Sequence, residues 1–165
     1  MHELNVTWMY PDILNLHGDR GNILALIRVG SLLGVKVNVY KVESYEDLID
    51  FKNTDILFFN PGEIKVMPFV INALNLQKNE LNEYVNSNKI IIVIASSGII
   101  MAKNTIRTDG SSIDGFGYLD MECYQREKPY GDDIHFETLG NQPQEIIGCQ
   151  IHMVDTKLNG ASPFR

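Results

Sequence analysis

The sequence predicts an α/β fold in which a mostly parallel sheet is covered by helices on both faces. Short apolar segments and amphipathic segments alternate along the first half of the chain, as βαβ units require. Five β-branched residues, Ile90 to Ile94, also follow one another without a polar break. Such a run is typical of a strand buried on both faces of a parallel sheet.

The individual elements follow from this alternation and from turn residues. Strands are predicted over residues 3–9, 35–42, 55–59 and 90–94. A first helix is predicted with Asp19 or Asn22 as its cap and Gly34 at its end. Further helices are predicted from Ser44, as a short acidic helix, and from about residue 68 to residue 85. Beyond residue 103 we expect strands over 121–124, 134–138 and 146–154, which form an antiparallel edge to the parallel core.

Composition excludes several classes of protein. The chain has 165 residues, which predicts one domain over residues 1–165. A formal charge of −7 without a Lys/Arg cluster argues against nucleic-acid binding. The apolar runs are far shorter than the roughly 20 residues of a membrane span, and the N-terminus does not resemble a signal peptide.

Two cysteines, Cys123 and Cys149, are present. Their spacing fits neither a metal site nor a disulfide framework, so both are interpreted as small buried hydrophobes. We expect a reducing, cytoplasmic setting. No cofactor and no metal is predicted.

Residues 95–98, Ala-Ser-Ser-Gly, interrupt the apolar run before it resumes. A strand, a tight turn of small residues and a helix form the nucleophile elbow of many enzymes. The third strand ends in Asn60-Pro61-Gly62. Because ligand sites in open α/β sheets lie at the carboxyl ends of strands, residues 60–63 and 95–98 are predicted to meet there.

Three stretches resemble one family. They are residues 10–22 (Tyr-Pro-Asp-Ile-Leu-Asn-Leu-His-Gly-Asp-Arg-Gly-Asn), residues 114–120 (Asp-Gly-Phe-Gly-Tyr-Leu-Asp) and residues 148–152 (Gly-Cys-Gln-Ile-His). In this order they resemble the glutaminase subunit of lipid II isoglutaminyl synthase. That subunit is one of the cobyric-acid-synthase-like class I glutamine amidotransferases.

The resemblance implies a flavodoxin-like domain that takes ammonia from glutamine and passes it to a Mur-ligase-like synthetase partner. The family chemistry uses a cysteine thiolate on the elbow, a histidine base and backbone donors for the oxyanion. Here the alignment puts Ala95 at the nucleophile position. Pro61, which has no N–H, stands in the oxyanion loop. The family's histidine base is expected beyond residues 148–152, and no counterpart precedes Arg165.

Three functions are therefore carried forward, of which the third is a purely structural subunit that holds a Mur-ligase-like synthetase. The first is a non-catalytic amidotransferase-like subunit that binds a partner, glutamine or another small ligand in peptidoglycan or cobyric-acid-type amidation. The second is an active amidotransferase or hydrolase that uses Ser96 or parts of a partner chain. Ser96 has the alternative role of a helix cap, and Asp19 is either an assisting acid, a helix cap or a partner of Arg20. The candidate binding residues are Asn15, Arg20, Asn60, Gly62, Ser97 and His152.

Overall fold

The structure is a computed structural model that describes residues 2–16, 18–138 and 142–159. These residues form two compact units, one that ends at Met101 and one that begins at Ala102. A parallel sheet lies in the first unit and a mixed sheet in the second. The predicted α/β fold class is thereby confirmed. The single domain over residues 1–165 stays a prediction.

The first unit contains sheet A, whose four parallel strands lie in the order β2-β1-β3-β4. Parallel strands require crossover connections, and the amphipathic segments of the sequence supply them. Its elements are β1 (His2–Met9), α1 (Arg20–Leu32), β2 (Val35–Val42), β3 (Ile56–Phe59), α2 (Met67–Asn75), α3 (Lys78–Val85) and β4 (Ile90–Val93), with 3-10 turns at Ile64–Val66 and Ala95–Ile100.

One face of sheet A packs against α1. Val6 and Trp8 of β1 and Phe58 of β3 form a buried cluster there with Ile23 of α1. Because side chains alternate along a strand, Leu57 and Phe59 of β3 point to the opposite face. Helix α1 thus covers one side of the sheet.

The other face of sheet A is equally well buried. Leu57 and Phe59 are 0% exposed. Helices α2 and α3 supply their cover with Val70, Leu74 and Leu81, which are also buried. The sheet therefore lies between two helical layers, as the sequence predicted.

The apolar run Ile90 to Ile94 is an edge strand, which corrects one prediction. Strand β4 pairs with β3 and lies at the end of the strand order. Ile90 is 52% exposed, and the next three residues are half-buried. An apolar run indicates a strand but does not distinguish a central position from an edge, because strand order is a tertiary property.

The predicted helix over residues 68–85 is two helices, α2 and α3, which meet at Gln77. The Gln77 amide accepts the backbone N–H of Ile49 at 2.8 Å and donates to its carbonyl oxygen at 3.1 Å. Its backbone leaves helical geometry, with φ −123° and ψ 37°. A paired contact far along the chain therefore divides a helix that local propensity would have continued.

The short acidic helix predicted from Ser44 is a turn. The Asp47 carboxylate accepts the backbone N–H groups of Ser44 and Glu43, each at 2.8 Å. These bonds hold the pKa of Asp47 below its usual value. An aspartate side chain that accepts backbone N–H groups of nearby residues stabilises a turn in place of a helix. This explains why the prediction of a helix here was wrong.

The second unit contains sheet B, with strands in the order β6-β5-β7-β8. Its strands are β5 (Asn104–Ile106), β6 (Ser112–Asp114), β7 (Met121–Glu137) and β8 (Glu145–Leu158). Sheet B is a sheet of its own rather than an edge of sheet A, and residues 121–124 and 134–138 share one strand, β7, apart from Thr138. Both expectations are therefore wrong. The two predicted strands are one because a register shift between Gln125 and Tyr130 lets β7 continue through a polar stretch.

The two cysteines differ in their surroundings. Cys123 lies in β7 and is 2% exposed, which confirms its predicted burial. Burial raises the pKa of its thiol. Cys149 lies in β8 and is exposed, so its predicted burial is wrong.

Candidate functional site

The carboxyl ends of β1, β3 and β4 lie at one edge of sheet A, because these strands are parallel and adjacent. The loop after β3 and the turn after β4 contact each other at this edge. The backbone N–H of Gly62 donates to the Ser96 hydroxyl at 3.1 Å. The structure therefore brings residues 60–63 and 95–98 together, as predicted.

Two neighbouring serines tie the turn to the loop. The Ser96 hydroxyl donates to the carbonyl oxygen of Gly62 at 2.6 Å and also accepts its N–H. The Ser97 hydroxyl donates to the carbonyl oxygen of Asn60 at 2.5 Å. Ser97 is 0% exposed. Both hydroxyl protons are thus directed to backbone oxygens rather than to a basic side chain.

Ala95 begins the turn in a conformation that alanine rarely adopts. Its φ is +48°, in the left-handed region, and its side chain is exposed. A side chain projected from a sharp, strained turn at the end of a strand is the geometry of a nucleophile elbow. The turn after β4 therefore shares this backbone feature, with the methyl group of Ala95 at its tip.

Gly62 lies where no larger residue fits. A Cβ atom there would be 2.6 Å from Cδ2 of Leu14 and 3.1 Å from the carbonyl oxygen of Ile13. Leu16 adds a backbone bond from its N–H to the Pro61 carbonyl oxygen at 3.2 Å. The loop after β1 and the loop after β3 are thus in direct contact, and a glycine makes this approach possible.

Asn60 is completely buried between the two loops. Its Oδ1 accepts the side-chain amide of Asn22 at 3.3 Å. Its Nδ2 has no hydrogen-bond partner among the residues that the structure describes, and the same holds for Oδ1 of Asn15. Two buried polar atoms without partners mark this edge as unusual, since buried polar groups are normally paired.

Asn22 is a residue of this site that the sequence analysis did not assign to it. Its position in the first turn of α1 suggested only a helix cap. The contact with Asn60 joins residues 38 positions apart. The sequence did contain a signal for this contact, since polar residues follow both β1 and β3.

The remaining residues of the β1 loop are placed as follows. Asp19 is at the N-cap position of α1, and its side chain makes no capping hydrogen bond. Arg20 donates to the carboxylate of Asp12 at 3.0 Å, and both side chains are exposed. Asp12 is thus an acidic partner of Arg20 that the sequence analysis did not name. His17 lies outside the described residues.

Tyr10 ends β1 at this edge with a φ of +47° and is 3% exposed. Burial, together with Asp47 and Tyr45, raises the pKa of Tyr10 to about 12. Its phenol is therefore neutral at physiological pH. The edge consists mainly of neutral amide, hydroxyl and backbone groups.

His152 belongs to the second unit. It lies in β8, and its ring centroid is 5.1 Å from that of Tyr130. Its Nε2 is 3.6 Å from the carboxylate of Asp155. Within sheet B, His152 therefore has an aromatic neighbour and an acidic neighbour.

These groups limit the chemistry at the edge of sheet A. Ala95 has no ionisable atom, and the Ser96 hydroxyl is held by Gly62 on both sides. Within residues 2–16, 18–138 and 142–159, no group of three or more His, Cys, Asp or Glu side chains could hold a metal ion. In the same part of the chain, no helix is both long enough and apolar enough to cross a membrane.

Comparison with known proteins gives two relatives, whereas no family model matches the chain. The chain is 30% identical over 154 residues to the lipid II isoglutaminyl synthase (glutamine-hydrolyzing) subunit GatD of Staphylococcus aureus strain N315, which covers 92% of this chain and 61% of that subunit. It is 27% identical over 118 residues to the subunit of the same name from Streptococcus pneumoniae strain ATCC BAA-255/R6, which covers 72% of this chain and 45% of that subunit. The matched part thus spans about half to three fifths of each relative. The comparisons confirm the resemblance suggested by the sequence: over most of its length, this chain is similar to the glutaminase subunit of lipid II isoglutaminyl synthase.

Proposed function

We propose that this chain is a non-catalytic, glutamine amidotransferase-like subunit that acts in the amidation of lipid II, a peptidoglycan precursor, in the cytoplasm. Two lines of reasoning support the proposal. The similarity to GatD subunits supports the scaffold and the biological setting. The residues at the carboxyl edge of sheet A support the absence of catalytic activity.

The observation that carries the proposal is Ala95. It has a left-handed backbone, with φ +48°, as a nucleophile elbow does. The resemblance to the family implies that Ala95 stands at the position of the nucleophile. A methyl group cannot attack the amide of glutamine, and covalent catalysis requires an activated nucleophile. The strained turn has been kept while the group that would use it is missing.

Ser96 is a poor substitute for the missing thiol. A serine nucleophile needs a general base within hydrogen-bond reach of its hydroxyl. The Ser96 hydroxyl donates instead to the carbonyl oxygen of Gly62 at 2.6 Å. Its attack on glutamine would require breaking this bond and finding a base.

The backbone donors for an oxyanion are also compromised. The Gly62 N–H is taken by the Ser96 hydroxyl, and Pro61 has no N–H to offer. Loss of one oxyanion donor typically lowers the rate by roughly 10²–10³. The loop is therefore better suited to a structural role than to stabilising a tetrahedral intermediate.

The partner we propose is a Mur-ligase-like synthetase. Both relatives are named as subunits of a glutamine-hydrolyzing synthase, which supports a role within an assembly. The chain would act as one amidotransferase-like domain over residues 1–165. Glutamine or another small ligand would occupy the edge where Asn15 and Asn60 have buried polar atoms without a partner in the described part of the chain.

The experiment measures ammonia release from glutamine by the chain alone and together with a purified Mur-ligase-like synthetase subunit. We expect a stable complex, no ammonia above background in either case, and no mass shift with a glutamine-analogue electrophile. Release by the chain alone that disappears in Ser96→Ala would support a serine hydrolase instead. Release that requires the synthetase and persists in Ser96→Ala would support a site completed by the partner chain. Absence of complex formation would remove the proposed role as a subunit.

A further inference from the structure

We propose that the free edge of β8 joins a second copy of this chain in an antiparallel, two-fold symmetric pairing centred on Cys149. The surface concerned is the β7–β8 arm, which we define as residues 130–137 and 145–152. This inference lies entirely within sheet B. It is independent of the proposed amidotransferase-like function.

The β7–β8 arm is a two-stranded ribbon. Strand β5 pairs with β7 only at residues 122–124, so residues 130–137 pair with β8 alone. Strand β8 is last in the order of sheet B, and its outer edge has no strand partner among the described residues. A two-stranded ribbon is marginally stable in water, and three or more strands with an apolar face are needed for independent stability. Pairing with an additional strand would therefore stabilise the arm.

The outer edge of β8 is apolar and uncharged. Ile147 is 79% exposed and Ile151 is 68% exposed, and Cys149 between them is exposed as well. No Asp, Glu, Lys or Arg occurs in residues 146–151. A long, exposed, apolar edge strand without charges is a known site of strand-to-strand association.

The hydrogen-bonding direction of β8 can be assigned from one bond near the end of the hairpin. The backbone N–H of Thr138 donates to the carbonyl oxygen of Gln144 at 2.9 Å, which makes these residues a hydrogen-bonded pair. Hydrogen-bonded pairs alternate along an antiparallel ladder. In the continuous register from residue 145 to residue 152, the odd-numbered residues of β8 thus direct their N–H and C=O groups away from β7.

The same odd-numbered residues form a self-complementary pattern. With Cys149 opposite Cys149 of the second copy, Ile147 faces Ile151 of that copy and Ile151 faces its Ile147. A two-fold interface requires this reciprocity. The three pairs would form about six hydrogen bonds between the chains.

Charge also favours this register. Glu145 would lie opposite Met153 of the second copy, so no two like charges stand directly opposite each other between residues 145 and 153. Like charges directly opposite each other destabilise strand pairing. The result would be a four-stranded antiparallel sheet with β8 strands at its centre.

The test is sedimentation velocity of the full chain over a concentration series, with charge variants of β8. We expect a reversible dimer for the wild type. Ile147→Glu and Ile151→Lys should each weaken dimerisation by roughly tenfold, because each removes two symmetry-related apolar pairs. Leu24→Glu places the same charge on an exposed apolar residue of α1 and should leave the dimer unchanged.

The double variant, Ile147→Glu with Ile151→Lys, tests the register. Positions 147 and 151 face each other only between chains in this arrangement, so the double variant should recover affinity relative to both single variants. A short bismaleimide should also couple Cys149 of two chains, and Cys149→Ser should abolish the product. A wild-type chain that is monomeric throughout, a double variant no better than the single variants, or equal disruption by Leu24→Glu would overturn the proposal.

Discussion

The hydroxyl of Ser96 pairs with both backbone groups of Gly62, whose N–H lies at 3.1 Å and whose carbonyl oxygen lies at 2.6 Å. One side chain thus satisfies the donor and the acceptor of a glycine on a neighbouring loop. The contact joins the turn after β4 to the loop after β3, and it occupies a backbone donor that an oxyanion would need. Three predictions concern this edge, and a fourth concerns Tyr84, which bonds to the amino ends of β3 and β4.

Ala95→Gly should stabilise the protein by up to about 1 kcal/mol. Left-handed backbone geometry costs an L-residue roughly 1–2 kcal/mol, and glycine avoids this cost. Part of the gain is offset because glycine has greater conformational freedom in the unfolded chain. Urea unfolding monitored by circular dichroism measures the difference. Ala25→Gly, at an exposed position within α1, should instead destabilise by about 0.5–1 kcal/mol. If Ala95→Gly and Ala25→Gly lower the free energy of unfolding by similar amounts, the backbone at Ala95 is not strained.

Gly62→Ala should destabilise the protein by roughly 1–3 kcal/mol. The new Cβ would be 2.6 Å from Cδ2 of Leu14 and 3.1 Å from the backbone carbonyl oxygen of Ile13, so the loop after β1 would have to shift. The matched control is Gly21→Ala in the first turn of α1, where nothing lies within 4 Å. That variant should be neutral or slightly stabilising in the same unfolding assay. A neutral Gly62→Ala would mean that the loops are not held together.

Ala95→Cys should not restore glutamine hydrolysis. A thiol needs a base or a lowered pKa to become a thiolate, and the Gly62 donor would still be occupied by Ser96. Because parts of a catalytic unit act non-additively, one restored part gains little. In a Cys149→Ser background, which removes the exposed native thiol, the new thiol on the tip of the turn should nevertheless react with iodoacetamide, and this labelling verifies that it is accessible. Ammonia release that saturates with glutamine would contradict the prediction, and His152→Ala in that variant would then test His152 as the base.

Tyr84→Phe should lower stability by about 1 kcal/mol at neutral pH. The Tyr84 hydroxyl lies 2.9 Å from the carbonyl oxygen of Ile90 and 3.1 Å from that of Asp55, so it links α3 to two strands. Tyr40→Phe, on an exposed residue of β2, should change stability by less than about 0.5 kcal/mol.

The alkaline behaviour of Tyr84 provides a second measurement. Burial raises the pKa of Tyr84 to about 12, and the nearby Asp55 adds to this. Since the folded pKa lies above the unfolded value of about 10, the contribution of the neutral phenol is complete below about pH 10 and is lost as the pH rises towards 12. Unfolding of Tyr84→Phe should therefore depend less steeply on pH in this range than that of the wild type.

Much of the first unit could be predicted from local patterns. Strands β1, β2 and β3 lie within one residue of their predicted bounds, because alternating or continuous apolar residues between turn residues specify a strand locally. The parallel pairing of β1 with β2 follows from α1 between them, and that of β3 with β4 follows from α2 and α3. The meeting of Gly62 and Ser96 followed in turn from the rule that sites form where parallel strands end.

Three features could not be predicted because distant residues decide them. The break at Gln77 depends on Ile49, the edge position of β4 depends on strand order, and the separate sheet B depends on a long β7–β8 pairing. Periodicity within a segment carries no information about which other segment will satisfy its backbone. Asn22 was missed for the same reason, since its contact with Asn60 exists only after both loops have folded.

The sequence by itself determined the α/β class, the elbow after β4, the alanine at its tip and the proline in the facing loop. For the last two points the identity of the residue is sufficient, because alanine has no nucleophilic group and proline has no N–H in any fold. Only the tertiary structure decided that Ala95 has a left-handed backbone and that Ser96 is bound on both sides by Gly62. Backbone strain and hydrogen bonds depend on the positions of atoms brought together from separate parts of the chain.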